Sequence, residues 1–196
     1  MSALRRQAPG ISISTVRNTT VNLRDEMESG RVDLAIGLLP QLTVGFFQRS
    51  LFRQRYVCMF RKGHPLDKAA ISLEDFTAAN HVVVVSEGTG HGKVDELLTQ
   101  QGVRRHVVLV VPHFLGVGNI LQATDLVTTV PERLAERTVA PFELTYVAHP
   151  ADLPQISISL LWHTRMHRDT GNHWLRALIF KLFADHSTES KSAPAE

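Results

Sequence analysis

A glycine-rich loop between a strand pattern and a helix pattern holds the residues most suited to ligand chemistry. Residues 82–85 are four consecutive valines, and residues 86–92 contain three glycines. From Lys93 onward, apolar residues fall at i, i+3 and i+4, the spacing of a short helix. The first N–H groups of a helix lack intrahelical partners and attract anions. This order favours a small carboxylate as ligand, with His91 and Lys93 beside the donors.

The same loop also fits an ordinary strand-to-helix turn whose glycines only supply positive φ. Nucleotide patterns do not fit it. The spacing from Gly88 to Gly92 is one residue too short for a phosphate loop, and Lys93 replaces the third glycine of the dinucleotide motif. The residues alone therefore leave two interpretations open, an anion site and a plain turn.

Other residue types that could do chemistry give weaker patterns. His163 and His167 have the spacing of a helical zinc pair, but Thr164 stands where the catalytic glutamate belongs. Cys58 lies within an apolar strand pattern and is predicted to be a core residue. His91 and His113 could act as acid and base, which keeps an enzyme as one hypothesis. No cofactor and no metal is predicted.

Composition is that of a globular protein. The chain has 196 residues, 43% apolar and 20% charged, with a net charge of +2. The basic residues are scattered, so no nucleic-acid-binding surface is expected. A single cysteine, no signal peptide and no membrane-length apolar run predict a cytoplasmic protein without membrane contact.

Strand patterns alternate with helix patterns almost throughout, which predicts an α/β architecture. Strands are predicted over residues 11–16, 32–38, 53–60, 82–85, 107–111, 126–130, 144–147 and 156–162. Helices are predicted over residues 2–7, 18–29, 73–79, 93–101, 114–122, 131–137 and 174–183. The near-continuous apolar run of residues 32–38 is typical of a parallel sheet. Gly116 and Gly118, inside one helix pattern, predict close packing or ligand approach.

The two strand patterns that flank the middle of the chain suggest a division into lobes. If residues 53–60 and 156–162 both cross between lobes, residues 1–60 and 155–185 form lobe I, and residues 80–150 form lobe II. A ligand would then bind in the cleft between the lobes. Residues 187–196 are polar and are predicted to be a disordered tail.

Four motifs in a fixed order resemble a known family. They are RYVCMFRK at residues 55–62, TGHG at 89–92, VVPHF at 110–114 and GNHWLR at 171–176. Together they resemble the effector-binding domain of LysR-type transcriptional regulators, and most closely the regulators of naphthalene, salicylate and nitroaromatic degradation. The resemblance runs from Met1 to Phe183.

The resemblance implies two Rossmann-like α/β lobes of the periplasmic-binding-protein type, joined by two crossing strands. It also implies an inducer, a small aromatic carboxylate, in the cleft between the lobes. On the matching positions, His91 would be the principal inducer contact, with Thr89 and Gly90 in the same loop.

Three further ligand-binding positions follow from the resemblance. Gln54 stands where the close relatives have a histidine that lines the site, and glutamine cannot carry a positive charge. Arg17 is a weaker assignment, since it fits a solvated strand end equally well. Ile158 fits a core position better than a ligand contact.

The resemblance also implies partners. Members of this family form homodimers or homotetramers and contact DNA through a winged helix-turn-helix. Met1 corresponds to a position inside the first helix of the effector domain, so lobe I would lack its first strand and the DNA-binding part would lie outside these residues. The alternatives are a stand-alone solute-binding protein for small carboxylates, and the enzyme that uses His91 and His113.

Overall fold

The computed structural model describes residues 1–16, 22–85 and 93–184. Within these ranges the helices are α1 (Ser2–Gln7), α2 (Leu23–Ser29), α3 (Leu73–Ala78), α4 (Lys93–Gln100), α5 (Val117–Gln122), α6 (Glu132–Phe142) and α7 (Thr170–Phe183). The strands are β1 (Ala35–Gly37), β2 (Phe46–Gln54), β3 (Tyr56–Arg61), β4 (Asn80–Val84), β5 (His106–Val111), β6 (Leu126–Pro131), β7 (Leu144–Ala148) and β8 (Ile156–His163). Short 3-10 turns cover Phe114–Gly116 and Thr164–Met166. None of the described helices is long and apolar enough to cross a membrane.

The larger sheet has five strands in the order β5-β4-β6-β3-β7. β4 runs parallel to both β5 and β6, whereas β3 pairs antiparallel with β6 and β7. The valine-rich strand β4 lies in the interior of this sheet with Val82, Val83 and Val84 buried, because helices cover both faces at this place, whereas the valine-rich β5 lies at the edge. The predicted α/β architecture is confirmed.

Side chains alternate along β3 between two separate cores. Cys58 and Phe60 pack with α3 and α4 on one face, in a cluster that includes Phe76. Val57 and Met59 pack with α5 and α6 on the other face. The period of two along a strand produces this division, because successive side chains point to opposite faces.

The smaller sheet has three strands in the order β1-β8-β2, and both pairings are antiparallel. The prediction of a parallel strand over residues 32–38 is therefore wrong. Only Ala35–Gly37 forms a strand, and Ile36 is 52% exposed. An apolar run predicts burial in general, but its strand direction depends on the neighbour that it pairs with.

The predicted continuous strand over residues 53–60 is interrupted at Arg55. β2 ends at Gln54 in the three-stranded sheet, and β3 begins at Tyr56 in the five-stranded sheet. The carbonyl oxygen of Arg55 accepts a hydrogen bond from the backbone N–H of Glu132 at 3.0 Å. The chain thus passes from one sheet to the other at Arg55 and returns between β7 and β8.

Two predictions near the N-terminus need correction. Residues 11–16 form no strand, and the side chains of Ile11, Ile13 and Val16 are 41 to 57% exposed. Alternation of apolar and polar residues is typical of a half-buried strand. A strand also needs a partner strand, however, and none of the described strands pairs with this segment. The predicted helix over residues 18–29 begins only at Leu23 and ends at Ser29, where Gly30 is the C-cap with φ of 79°. Residues 17–21 and the predicted tail at 187–196 lie outside the described residues.

The middle of the chain matches its helix predictions with small changes. Ser72 and Asp75 form a capping box at the start of α3. The predicted helix over residues 114–122 opens as a 3-10 turn and becomes α-helical at Val117. A Cβ at Gly118 would lie 2.6 Å from the ring of Phe142, so the prediction of close packing is confirmed for Gly118, whereas Gly116 faces open space.

Candidate functional site

The connections that leave β4 mark the place on this fold where a ligand is expected. From β4 the chain passes through α4 to β5 on one side, and then through α5 to β6 on the other side. The carboxyl ends of β4 and β6 therefore border a topological switch point, where ligands bind in open α/β sheets. The glycine-rich loop that contains His91 follows β4 directly at this end.

Four of the predicted site residues lie outside the described residues. They are Arg17, Thr89, Gly90 and His91. Their roles stay predictions.

The other two predicted residues lie where the chain crosses between the sheets. Gln54 is the last residue of β2 and is half-buried, and its Oε1 accepts a hydrogen bond from the backbone N–H of Arg133 at 3.3 Å. Ile158 on β8 is 8% exposed and belongs to the same apolar cluster as Tyr56 and Phe60. Its burial agrees with a core position, and a ligand contact by Ile158 stays a prediction.

The first turn of α6 fixes this crossing. The guanidinium of Arg55 donates to one carboxylate oxygen of Glu132 at 2.7 and 2.9 Å. The guanidinium of Arg133 lies 3.7 Å from the centroid of the Phe52 ring. An amide, a cation and an aromatic ring therefore meet at one place, and these groups suit the recognition of an aromatic anion.

A small cavity adjoins the crossing on the α4 side of the five-stranded sheet. It offers about 20 Å³ of interior space. Its lining comprises Tyr56, Val83, Val84, Val94, Asp95, Arg105, Phe114 and Thr129. Most of these residues come from the carboxyl-terminal halves of β4 and β6, the first turn of α4 and the start of β3, so the cavity adjoins the switch point. Arg105 precedes β5 and Phe114 follows it.

Arg105 supplies a buried positive charge to the cavity wall. Its side chain is only 5% exposed, and its guanidinium pairs with the carboxylate of Asp95 in the first turn of α4. Burial lowers the pKa of Arg105, and the Cys58 side chain opposes this effect. The Asp95 carboxylate stabilises the charge that burial disfavours, because a buried charge needs a close partner.

Burial keeps four titratable side chains near the cavity in their neutral form. Burial raises the pKa of Tyr56 to about 12 and the pKa of Cys58 to about 12. Burial also lowers the pKa values of His81 and His149 to about 4. A thiol that stays protonated is a poor nucleophile, so Cys58 is the core residue that the sequence predicts.

Sequence reasoning missed Arg105, Thr129 and Arg133. No pattern of adjacent residues marks Thr129 or Arg105 as part of a site, because the residues that surround them in the fold come from distant strands and helices. Arg133 lies two residues after Pro131, in the first turn of a predicted helix. This position could have indicated a ligand-binding residue from the sequence alone. A residue in the first turn of a helix that opens at a sheet edge points towards a common ligand location.

The histidine pair with zinc spacing makes other contacts. His163 ends β8 and its Nδ1 accepts from the backbone N–H of Arg165 at 3.4 Å, whereas His167 accepts from the indole N–H of Trp162 at 3.2 Å. Over residues 1–16, 22–85 and 93–184, no group of three histidine, cysteine or acidic side chains is placed to hold a metal ion.

Comparison with known proteins identifies relatives of this chain. Residues 1–184 match the family described as the LysR substrate binding domain. The chain is 56% identical over 185 residues to the HTH-type transcriptional activator NagR of Ralstonia sp, and 50% identical over 185 residues to the HTH-type transcriptional activator NahR of Pseudomonas putida. Each alignment covers 94% of this chain and 62% of the relative, so the chain spans less than two thirds of the length of either activator.

A solved structure with the same fold supports this assignment. The regulatory domain of MexT, a transcriptional activator in Pseudomonas aeruginosa, superposes with a TM-score of 0.80 at 28% sequence identity. The superposition covers 92% of this chain and 89% of the MexT domain.

Proposed function

Because this chain belongs to the LysR substrate-binding domain family, we propose that it is the inducer-binding domain of a regulator of aromatic-compound catabolism. Its ligand would be a small aromatic carboxylate, bound between the two sheets where the chain crosses at Arg55. The periplasmic-binding-protein-like fold supports this place, since such folds bind small molecules between their lobes.

The observation that carries the ligand class is the group formed by Phe52, Gln54 and Arg133. The guanidinium of Arg133 is stacked on the Phe52 ring at 3.7 Å, and the Arg133 backbone donates to Gln54. A guanidinium recognises a carboxylate by paired hydrogen bonds, and an aromatic side chain packs against a ligand ring. His91 in the adjacent loop would add the contact that the family resemblance implies.

Regulation would follow from closure of two lobes on the ligand. Lobe I would comprise residues 1–60 and 155–185, and lobe II residues 80–150, with the crossing at Arg55 as a hinge. A ligand shifts such an equilibrium only by its different affinity for the open and closed states.

Contact with DNA would belong to another part of the longer protein. Binding without turnover separates this proposal from an enzyme, and the regulator relatives favour it over a stand-alone solute-binding protein. A cytoplasmic location would follow from the same role.

The binding test is calorimetry of benzoate, salicylate and nitrobenzoates against the purified chain, with Arg133→Gln and Arg137→Gln compared. Arg137 is an exposed residue one turn later on α6, so its substitution removes an equal charge away from Phe52 and Gln54. We expect a 10- to 100-fold loss of affinity for Arg133→Gln, the range for removing a charged hydrogen-bond donor, and little change for Arg137→Gln. Equal losses in both variants would show only a general charge effect.

A His91→Ala variant tests the loop separately. We expect it to lose most of the affinity for the same compounds while it unfolds at the same temperature as the unmodified chain. A folded chain that binds none of these compounds would refute the proposed ligand class.

We further propose that the domain associates as a homodimer or homotetramer. β5 is an edge strand that pairs with β4 among the described strands, and Val107, Val108 and Val110 on it are 41 to 57% exposed. Exposed apolar edges are usually covered in native proteins. Sedimentation of the Val108→Lys variant should show a smaller species than the unmodified chain at equal concentration. A monomer for both proteins would refute this association.

A further inference from the structure

The hydroxyl group of Thr129 lies between a histidine and the small cavity. Thr129 is on β6 and lines the cavity, and its Oγ1 lies 3.1 Å from Nε2 of His149. His149 follows β7, and its ring packs edge-on against Phe76 with ring centroids 4.7 Å apart. The imidazole is therefore held in place from two directions.

The backbone determines which nitrogen of His149 carries the proton. Nδ1 of His149 lies 3.1 Å from the backbone nitrogen of Ala151 and 3.3 Å from its carbonyl oxygen. The backbone N–H can only donate and is the nearer of the two groups, so we assign Nδ1 as the acceptor. In a neutral imidazole the other nitrogen then bears the hydrogen. Burial lowers the pKa of His149 to about 4, so the ring is neutral near pH 7. Nε2–H consequently donates to the hydroxyl oxygen of Thr129.

This arrangement makes Thr129 a donor towards the cavity. Its oxygen already accepts a hydrogen bond from His149, and its own hydrogen has no second partner among the described residues. The guanidinium of Arg105, whose side chain is 5% exposed, lines the same cavity and also offers only donors. The Asp95 carboxylate, which also lines the cavity, already accepts from Arg105. The Thr129 hydroxyl is therefore left as a donor for an acceptor atom in this space.

The size of the cavity limits what can enter it. About 20 Å³ holds one group of the size of a water molecule and excludes an aromatic ring. A ring bound at the crossing could therefore extend only a one-atom substituent into this space.

We propose that the cavity is a subsite for one acceptor oxygen on the ring of the effector, and that His149 is the positioning residue that holds the Thr129 hydroxyl as its donor. The proposal rests on the proposed function, because it assumes that an aromatic carboxylate binds at the crossing.

The test measures selectivity and not affinity alone. Calorimetry compares the three monohydroxybenzoates with the three matching monofluorobenzoates, since fluorine is close in size to a hydroxyl but is a poor hydrogen-bond acceptor. For one ring position, the unmodified chain should prefer the hydroxyl compound. In Thr129→Val that preference should fall roughly 2- to 12-fold, the range of one net hydrogen bond, with little change for the fluoro compound.

Thr128→Val is the matched control. Thr128 is the neighbouring residue on β6, is fully buried, and has a hydroxyl without a partner among the described residues. It is absent from the cavity lining, so its substitution should leave the selectivity unchanged.

Two variants test the role of His149. His149→Leu removes the donor to Thr129 and should reduce the preference for the hydroxyl compound, whereas His149→Gln supplies an amide N–H and should restore it in part. A role of His149 in packing alone would lower the affinities for both compounds equally, and Gln would not restore selectivity.

The outcomes separate this inference from the proposed function. Binding of the benzoates with the same selectivity in Thr129→Val and the unmodified chain would overturn the subsite, leave the function intact and indicate a cavity that holds only water. A folded chain that binds none of the six compounds would overturn both.

Discussion

The two sheets of this protein differ in how completely helices cover them. The five-stranded sheet has one apolar core against α3 and α4 and another against α5 and α6. The three-stranded sheet packs against α2 and α7, its strand β1 has three residues, and Ile36 on that strand is 52% exposed. The buried charge of Arg105 and the neutral histidines lie in the better-covered sheet. A covered sheet excludes water, and this is the condition that shifts pKa values and strengthens polar contacts.

This comparison predicts that the five-stranded sheet is the more stable region. Local stability follows the density of buried apolar contacts and the protection of backbone hydrogen bonds.

The largest expected effect comes from two fully buried methionines. Met59 on β3 and Met27 on α2 are both 0% exposed. Methionine-to-alanine substitutions in a core cost about 2–5 kcal/mol, and the cost rises where the cavity cannot collapse. We expect about 4 kcal/mol for Met59→Ala, because strands and helices hold its surroundings, and about 2 kcal/mol for Met27→Ala on a seven-residue helix. Urea unfolding measures the loss of stability in both variants. Equal losses would show that the two regions are equally stable.

The second effect is acid destabilisation of the five-stranded sheet. The pKa of His81 is lowered from 6.5 to about 4 by burial, and Nε2 of His81 donates to the carbonyl oxygen of Phe76 at 2.7 Å. The unfolded chain binds this proton near pH 6.5 and the folded chain only near pH 4. The stability due to neutral His81 is therefore complete above pH 6.5 and is lost as the pH falls towards 4. A shift of this size corresponds to about 3 kcal/mol.

Hydrogen exchange at pH 5 and pH 7 locates this loss. Protection should fall in β3, β4 and β6 more than in β8. His81→Gln keeps an N–H donor without titrating and should remove about half of the pH dependence, because the pKa of His149 is lowered to about 4 as well. Substitution of the exposed His106 by Gln should leave the pH dependence unchanged. Loss of protection that is uniform over both sheets would argue against a local acid effect.

A smaller effect is expected at Gly118 in α5. An alanine Cβ there would lie 2.6 Å from the Phe142 ring on α6, so the helices must separate. Overpacking of this kind costs about 1–3 kcal/mol. Gly116→Ala meets open space and should change the stability by less than about 0.5 kcal/mol. Thermal unfolding of the two variants measures the difference, and a neutral Gly118→Ala would show that α5 and α6 can move apart freely.

The smallest effect lies beside the three-stranded sheet at Gly30. This glycine ends α2 with φ of 79°, and a Cβ would lie 2.8 Å from Arg165 Nη1. The Arg165 side chain can move, so the backbone conformation dominates and Gly30→Ala should cost about 1 kcal/mol. Urea unfolding measures this cost. A loss as large as that of Met59→Ala would mean that the region around α2 is as rigid as the larger sheet.

Much of the fold could be predicted because its signals are local. The valine runs of β4 and β5, the alternation along β3, the capping box at Ser72 and the αL glycine at Gly30 each depend on a few adjacent residues. The family motifs also predicted the two-lobed α/β fold that the relatives share.

The pairing of strands and the residues at which strands begin and end were less predictable from the sequence. Residues 32–38 and 11–16 have good strand patterns, yet the first forms a three-residue antiparallel strand and the second forms none. Strand direction and strand formation both depend on a neighbour that is distant in sequence, and a local pattern carries no information about that neighbour.

The order of residues along the chain is enough to specify the α/β class and the alternation of β3 side chains between two cores, whereas the end of β2 at Gln54 is a result of the folded structure. Only the tertiary structure decided that Arg133 lies over Phe52, that Arg105 is buried beside Asp95, and that His149 orients Thr129. Local propensity acts over a few residues and can be read along the chain. The charge, polarity and proton position of a buried site are set by groups up to dozens of residues apart, which only the folded chain brings together.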